Sequence, residues 1–236
     1  MDSIERLMLF GLTRQESVLY LLLLEHGSLS GYEAAKQSGI SRSNAYGSLA
    51  GLVEKGAAYV IEGNVTAYTP VAVEEFCKNS LRRLSEAAAE LKRSAPSIRE
   101  ETEGYVTIRG RRHILDKLKH MIERTSYRIY AAVPSEIVAW MEPELTEAGK
   151  RGVRIVLISD AVEYMDKVEF YRTEKKEGQL RVITDSLYVL TGDLEDEDST
   201  CLYSSKKNLV DVFKEALSNE IKLITWSQRG SLQEEK

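Results

Sequence analysis

Helix starts and stops punctuate the first seventy residues so closely that few folds can hold them. Thr13 and Glu16 form a Thr-x-x-Glu pair, in which hydroxyl and carboxylate each serve a backbone N–H at a helix start. Val18, Leu19, Leu22 and Leu23 follow at helical spacing, and Gly27 supplies the stop. Ser30 and Glu33 repeat the signature, with Tyr32, Ala34 and Ala35 expected to face inward and Gly39 ending the segment. Ile40 plugs a tight joint. Ser41 then caps a third segment that buries Ala45, Leu49, Leu52 and Val53, and Gly56 closes it.

Past Gly56 the period shifts to two. Tyr59, Ile61, Val65, Ala67 and Thr69 surround Gly63-Asn64, a pair suited to the positive torsions of a hairpin turn. Three helices followed by a hairpin make a winged helix-turn-helix, which lays its last helix in the major groove of double-stranded DNA. The side chains offered there are Ser41, Arg42, Ser43, Asn44, Tyr46 and Ser48. Arg42 suits guanine or a phosphate, Asn44 suits adenine, and the hydroxyls suit phosphate oxygens. The partial positive charge of the helix start adds to the attraction. The wing, Ala57 to Pro70, carries Glu62 and no Lys or Arg. It neutralises no phosphate, so affinity per subunit is modest and a dimer is needed. A net charge of −5 over 236 residues, with no basic half, leaves DNA binding to these few donors.

Four motifs carry a family resemblance: Leu-Phe-Gly-Leu-Thr-Arg-Gln-Glu (residues 9–16), Gly-Ile-Ser-Arg-Ser-Asn-Ala-Tyr (39–46), Leu-x-x-Leu-Val-Glu-Lys-Gly (49–56) and Tyr-Thr-Pro-Val (68–71). In these the sequence resembles the TrmB family of transcriptional regulators. The resemblance implies a dimeric DNA-binding repressor or activator with an effector-sensing C-terminal domain. Two features depart from it: the uncharged wing, and Gly47 and Gly51 inside the third helix, which cost it propensity.

From about Val73 to Ser97 the spacing predicts one long helix. Cys77, Leu81, Leu84, Ala88, Leu91, Ala95 and Ile98 form a heptad seam, flanked by Arg82, Arg83, Glu86, Glu90 and Lys92. A two-stranded coil through Leu81, Leu84, Ala88 and Leu91 would hold a homodimer; a helix packed on its own domains is the alternative. Pro96 bends or ends the helix, and Glu100 to Gly104 reads as a boundary. The expected organisation is a DNA-binding domain at 1–72, a linker and dimerisation helix at 73–103, and a regulatory domain at 104–236.

That last stretch alternates strands (105–108, 128–133, 153–158, 180–184, 187–190, 200–203) with helices at 111–123, from Ser135 and from about Asn208, the last ten residues frayed. The expected fold class is α+β in two domains, the second an α/β domain with a mixed sheet. It resembles one half of a phospholipase D-type fold, which TrmB-like regulators also carry. Those enzymes need a His-x-Lys pair, and the matching strands at 180–185 and 187–193 hold neither His nor Lys. No catalytic residue is therefore expected. The alternatives are a phosphodiesterase localised by its DNA-binding module and a scaffold that binds no DNA. Ser135, Ser159, Asp160 and Asp185 stand at expected strand ends, where they either converge on a small-molecule effector or cap helices and shape turns.

The run Asp193 to Asp198 packs five carboxylates into six residues but lacks the spacing of a calcium loop, and reads as a solvated turn. Cys77 and Cys201 stand far apart and outside any Cys-x-x-Cys pattern, which leaves neither a disulfide scaffold nor a zinc ribbon; no metal and no cofactor are expected. The longest apolar stretch, Val18 to Leu24, is far too short for a membrane span, and the first residues lack a secretory pattern. A cytoplasmic protein without membrane contact is expected.

Overall fold

The computed structural model describes residues 2–96, 104–161, 165–174 and 177–234, with side chains through residue 228. The chain divides into two units, Met1–Ser97 and Ile98–Lys236. In the first, the reciprocal caps form as the sequence predicts: Thr13 on α2 (Arg14–His26) and Ser30 on α3 (Gly31–Ser38). Ser41 caps α4 (Arg42–Glu54) by accepting from the Asn44 N–H at 3.4 Å. A further capped helix, α1 (Ser3–Leu9), precedes them and was not expected; Asp2 and Glu5 make its capping box.

The wing is larger than a hairpin. Strands β2 (Ala58–Ile61) and β3 (Ala67–Pro70) pair antiparallel, and a short strand β1 (Leu29–Ser30) adds to β3, giving the order β1-β3-β2. Because Ile61 pairs with Ala67, residues 62–66 form the turn, and Gly63 does not take a positive φ. A five-residue loop has room to turn in ordinary torsions, which corrects the two-residue turn expected at Gly63-Asn64.

Tyr20 joins these pieces. Its ring lies 5.6 Å from that of Phe76, at the start of α5 (Val73–Ser94), and its hydroxyl donates to the Val71 carbonyl at 2.7 Å. Phe76 and Ser80 are buried, so the first turns of α5 belong to the winged-helix core and the unit extends past the expected boundary at residue 72. The helix ends at Ser94, short of Ser97, because Ala95 precedes Pro96 and is pushed to an extended backbone. Ala95 thus leaves the heptad seam, and Ile98 lies outside the described residues.

The second unit is a seven-stranded mixed sheet. Its strands are β4 (Tyr105–Arg109), β5 (Arg128–Ala132), β6 (Arg154–Ser159), β7 (Val168–Arg172), β8 (Gln179–Thr184), β9 (Tyr188–Asp193) and β10 (Thr200–Ser204), in the order β4-β10-β9-β8-β5-β6-β7. Among the described strands only β5-β6 and β6-β7 pair parallel. Strand β7 was not anticipated, since Glu169 and Arg172 interrupt its apolar pattern at the sheet edge.

Alternation divides the sheet's side chains between two faces. Ile129, Ile155, Leu157, Val182 and Leu190 pack under α6 (Arg111–Arg124) and α7 (Ser135–Lys150). Ala132, Ile158, Ile183 and Val189 pack under α8 (Lys207–Glu234), which continues through residues expected to fray. Among the described residues no single helix is long and apolar enough to cross a membrane.

Burial, with a smaller contribution from Cys77, pushes the Tyr20 phenol up from its ordinary value of 10.0 to about 12. The folded state therefore holds the proton more tightly than the unfolded chain. The stability this contributes is complete below pH 10 and is lost as pH rises through about 12. Tyr20→Phe, which leaves the buried Val71 carbonyl without its donor, should cost about 1–3 kcal/mol at neutral pH. It should also flatten the alkaline limb of the stability curve, read by denaturant titration across pH 8 to 12.

Candidate nucleic-acid interface

Helix α4 turns two faces in different directions. Ala45, Ser48, Leu49 and Leu52 are buried, whereas Arg42, Ser43, Asn44, Tyr46 and Gly47 are exposed. Ser48 is 9% exposed and sits on the inner face between Ala45 and Leu52, which removes it from the expected DNA-reading set. Packing is the reason: residue 48 stands three residues after the buried 45 and four before the buried 52, on the flank of the inner face. The first turn of α4 carries no acidic side chain, unlike those of α2 and α3, so its partial positive charge faces outward uncompensated.

Two of the exposed groups are braced by α3. The Arg42 guanidinium lies 4.6 Å from the centre of the Tyr32 ring, a cation–π contact. Tyr46, one turn on, lays its ring where a side chain at Gly31 would stand. Tyr32, expected inward, is 48% exposed and forms the platform under Arg42. The signal was present as an aromatic residue at the start of the preceding helix, but helical period alone does not say which face it takes.

The far end of α4 is tied to α2 by Glu16. This buried carboxylate accepts from the Thr13 backbone N–H at 2.6 Å and from Lys55 Nζ, just past the helix, at 2.6 Å. Burial raises its pKa, but the bonds from Lys55 and Thr13 outweigh that and hold the carboxyl below its ordinary value. Gly51 leaves the space for it: a Cβ there would collide with Glu16 Oε1. Gly47 has no such neighbour, and a Cβ there meets nothing within 4 Å. The wing presents Val60, Ile61 and Val65, all exposed, and no cation.

In the α/β unit the four expected effector residues do not meet in one place. Asp160, after β6, accepts from the Ser135 N–H and Oγ, each at 2.9 Å, and from Ser159 Oγ at 3.4 Å. This makes Asp160 the acceptor at the start of α7. Ser135 is the first helical residue and Pro134 stands at the N-cap position, which corrects the expectation that Ser135 itself is the cap. Asp185 lies at the other end of β5. Strand β8 runs antiparallel to β5, so the residue after β8 meets the chain entering β5. There Asp185 accepts from the N–H groups of Ser126, Tyr127 and Arg128 at 2.8–3.0 Å, from a left-handed backbone with φ of 53°.

Comparison with known proteins agrees with this division. Residues 7–74 match the family model "Sugar-specific transcriptional regulator TrmB", and residues 104–219 match "Transcriptional regulator TrmB, EBD N-terminal subdomain". The chain belongs to the TrmB family. Curated relatives include the uncharacterized protein YrhO of Bacillus subtilis, 33% identical over 150 residues, 62% of this chain and 54% of YrhO. They also include the HTH-type sugar sensing transcriptional regulator TrmBL1 of Pyrococcus furiosus, 29% identical over 166 residues, 67% of this chain and 48% of TrmBL1. The chain thus spans about half the length of the curated relatives it matches. Among solved structures, the archaeal chromatin protein TrmBL2 aligns at 23% identity over 92% of this chain and 96% of its own, with a TM-score of 0.45.

In this TrmB-family chain the two glycines of α4 therefore have different causes. Gly51→Ala should lower the melting temperature despite its gain in helix propensity, because the Glu16 bridge must move aside. Gly47→Ala should raise stability by about 0.4–1 kcal/mol, the entropy gain of a compatible replacement. Thermal denaturation of the two variants beside the parent chain reads both signs.

Proposed function

We propose that the chain is a homodimeric transcriptional regulator that reads operator DNA through the start of α4 and responds to an effector through its α/β unit. The observation that carries this reading is the exposed face of α4: an acid-free first turn bearing Ser41, Arg42, Ser43 and Asn44, with Arg42 braced on Tyr32. Arg42 then enters the groove already oriented, and Asn44 reaches a base edge. Gly47 fits the same use, because a bare Cα lets the helix approach the sugar-phosphate backbone closely. The cation-free wing limits the number of phosphates each subunit neutralises, so useful affinity comes from two subunits on paired half-sites.

The dimer reading rests on α5. Beyond Ser80 its side chains are exposed, and Leu81, Leu84 and Leu91, at 58%, 58% and 64% exposure, follow one seam with Ala88. Such a stripe on a lone helix is the pattern a two-stranded coil covers. We take the chain to be a regulator and not an enzyme. Strands β8 and β9, where the resemblance to phospholipase D would put the nucleophile, contain no His or Lys. We take the protein to act in the cytoplasm, where operator DNA lies.

Against DNA from upstream of its own gene, Arg42→Ala and Asn44→Ala should each weaken binding by about 1–3 kcal/mol while the melting temperature stays put. Fluorescence anisotropy with operator and random duplexes measures this, and undiminished discrimination in both variants would refute the assignment. Leu84→Glu combined with Leu91→Glu should give a monomer by light scattering and a large loss of operator affinity. A variant that stays dimeric places the subunit contact elsewhere.

A further inference from the structure

DNA reading leaves a basic cavity in the α/β unit unused. Lys117, His120 and Arg124 follow one another at helical spacing on α6, and all three line a cavity of about 210 Å³. Its opposite wall comes from the sheet. Tyr188 on β9 and Tyr203 on β10 stack with centroids 5.9 Å apart and planes 9° from parallel. Lys117 Nζ lies 3.7 Å from the centre of the Tyr203 ring, which holds the ammonium at this wall. Among the described residues, the one carboxylate lining the cavity, Asp185, already accepts three backbone N–H groups, so its charge is engaged in holding the entry to β5.

We propose that this cavity binds a small phosphate ester, the phosphate against Lys117, His120 and Arg124 and the organic part against the Tyr188 ring. Lys117 and Arg124 match the charge of a phosphate dianion, and its three terminal oxygens give each of the three side chains an acceptor. A carboxylate offers only two oxygens and half the charge. The volume is small beside the ~300–1,000 Å³ common for ligand sites, which favours a monosaccharide-sized ester over a nucleotide. The stacked tyrosines supply a flat, amphipathic wall for such a ring. This assignment rests on the reading of the α/β unit as the effector-sensing part, and gives that reading a ligand class and a location.

The test is calorimetric titration of the full chain, without DNA, with inorganic phosphate, glucose 6-phosphate, glucose and gluconate. Glucose 6-phosphate should bind, inorganic phosphate more weakly, and glucose and gluconate not measurably. Arg124→Gln, at an exposed position, should weaken glucose 6-phosphate by about tenfold or more and leave DNA affinity of the ligand-free chain unchanged. Lys117→Gln should do the same and provides a second readout. The proposal is overturned if neither phosphate probe binds, if gluconate matches glucose 6-phosphate, or if both variants bind as the parent does. A chain that binds DNA but neither phosphate probe loses the cavity and keeps the operator reading. One that binds glucose 6-phosphate but no DNA keeps the cavity and loses the operator reading.

Discussion

Helix α4 takes its position from one buried carboxylate. Glu16 closes the N-terminus of α2 and, in the same stroke, binds the ammonium of Lys55 just beyond α4. A carboxylate removed from water is costly unless it is hydrogen-bonded, and here a backbone N–H and a charged donor both bond its Oε2. Both ends of α4 are thereby fixed: the far end through Lys55, the near end through the Arg42–Tyr32 contact and the Tyr46 ring over Gly31. A helix held at both ends presents its polar side chains in one orientation, so little ordering cost would remain on the proposed contact with a duplex.

Helix α5 changes character along its length. Phe76 and Ser80 are gripped by the winged-helix core, while every residue from Leu81 to Ser94 is exposed. The grip on the first turns makes the rest of the helix a rigid extension of the winged-helix unit. Any subunit contact made along its leucines would therefore set the distance and angle between two copies of α4, the quantity that half-site spacing reads.

The α/β sheet separates its polar groups by direction. At one end of β5, Asp160 and the two serines satisfy one another and start α7. At the other end, Asp185 ties the β8–β9 turn to the chain entering β5, beside the basic stripe of α6. The antiparallel pairing of β8 with β5 produces this split, since it sends the C-terminal ends of two neighbouring strands in opposite directions.

Residues 13–56 were legible because their signals are local. A hydroxyl and a carboxylate three residues apart, a stop glycine and a 3.6-residue apolar period act within one or two turns, so the sequence alone determined the caps, the helix order and the candidate readers Arg42, Ser43 and Asn44. The alternation of strand and helix in the second half was likewise legible, though not β7, whose charges sit at an edge. Tertiary structure decided the rest. Ser48 turned inward and Tyr32 outward because packing of α4 on α3 chose between faces that periodicity leaves close in rank. Asp185 found its partners 57–59 residues away, and the basic stripe of α6 met the β9–β10 tyrosines only once the sheet had ordered its strands. Contacts across such separations depend on the register of whole elements, and no short window of sequence encodes that register.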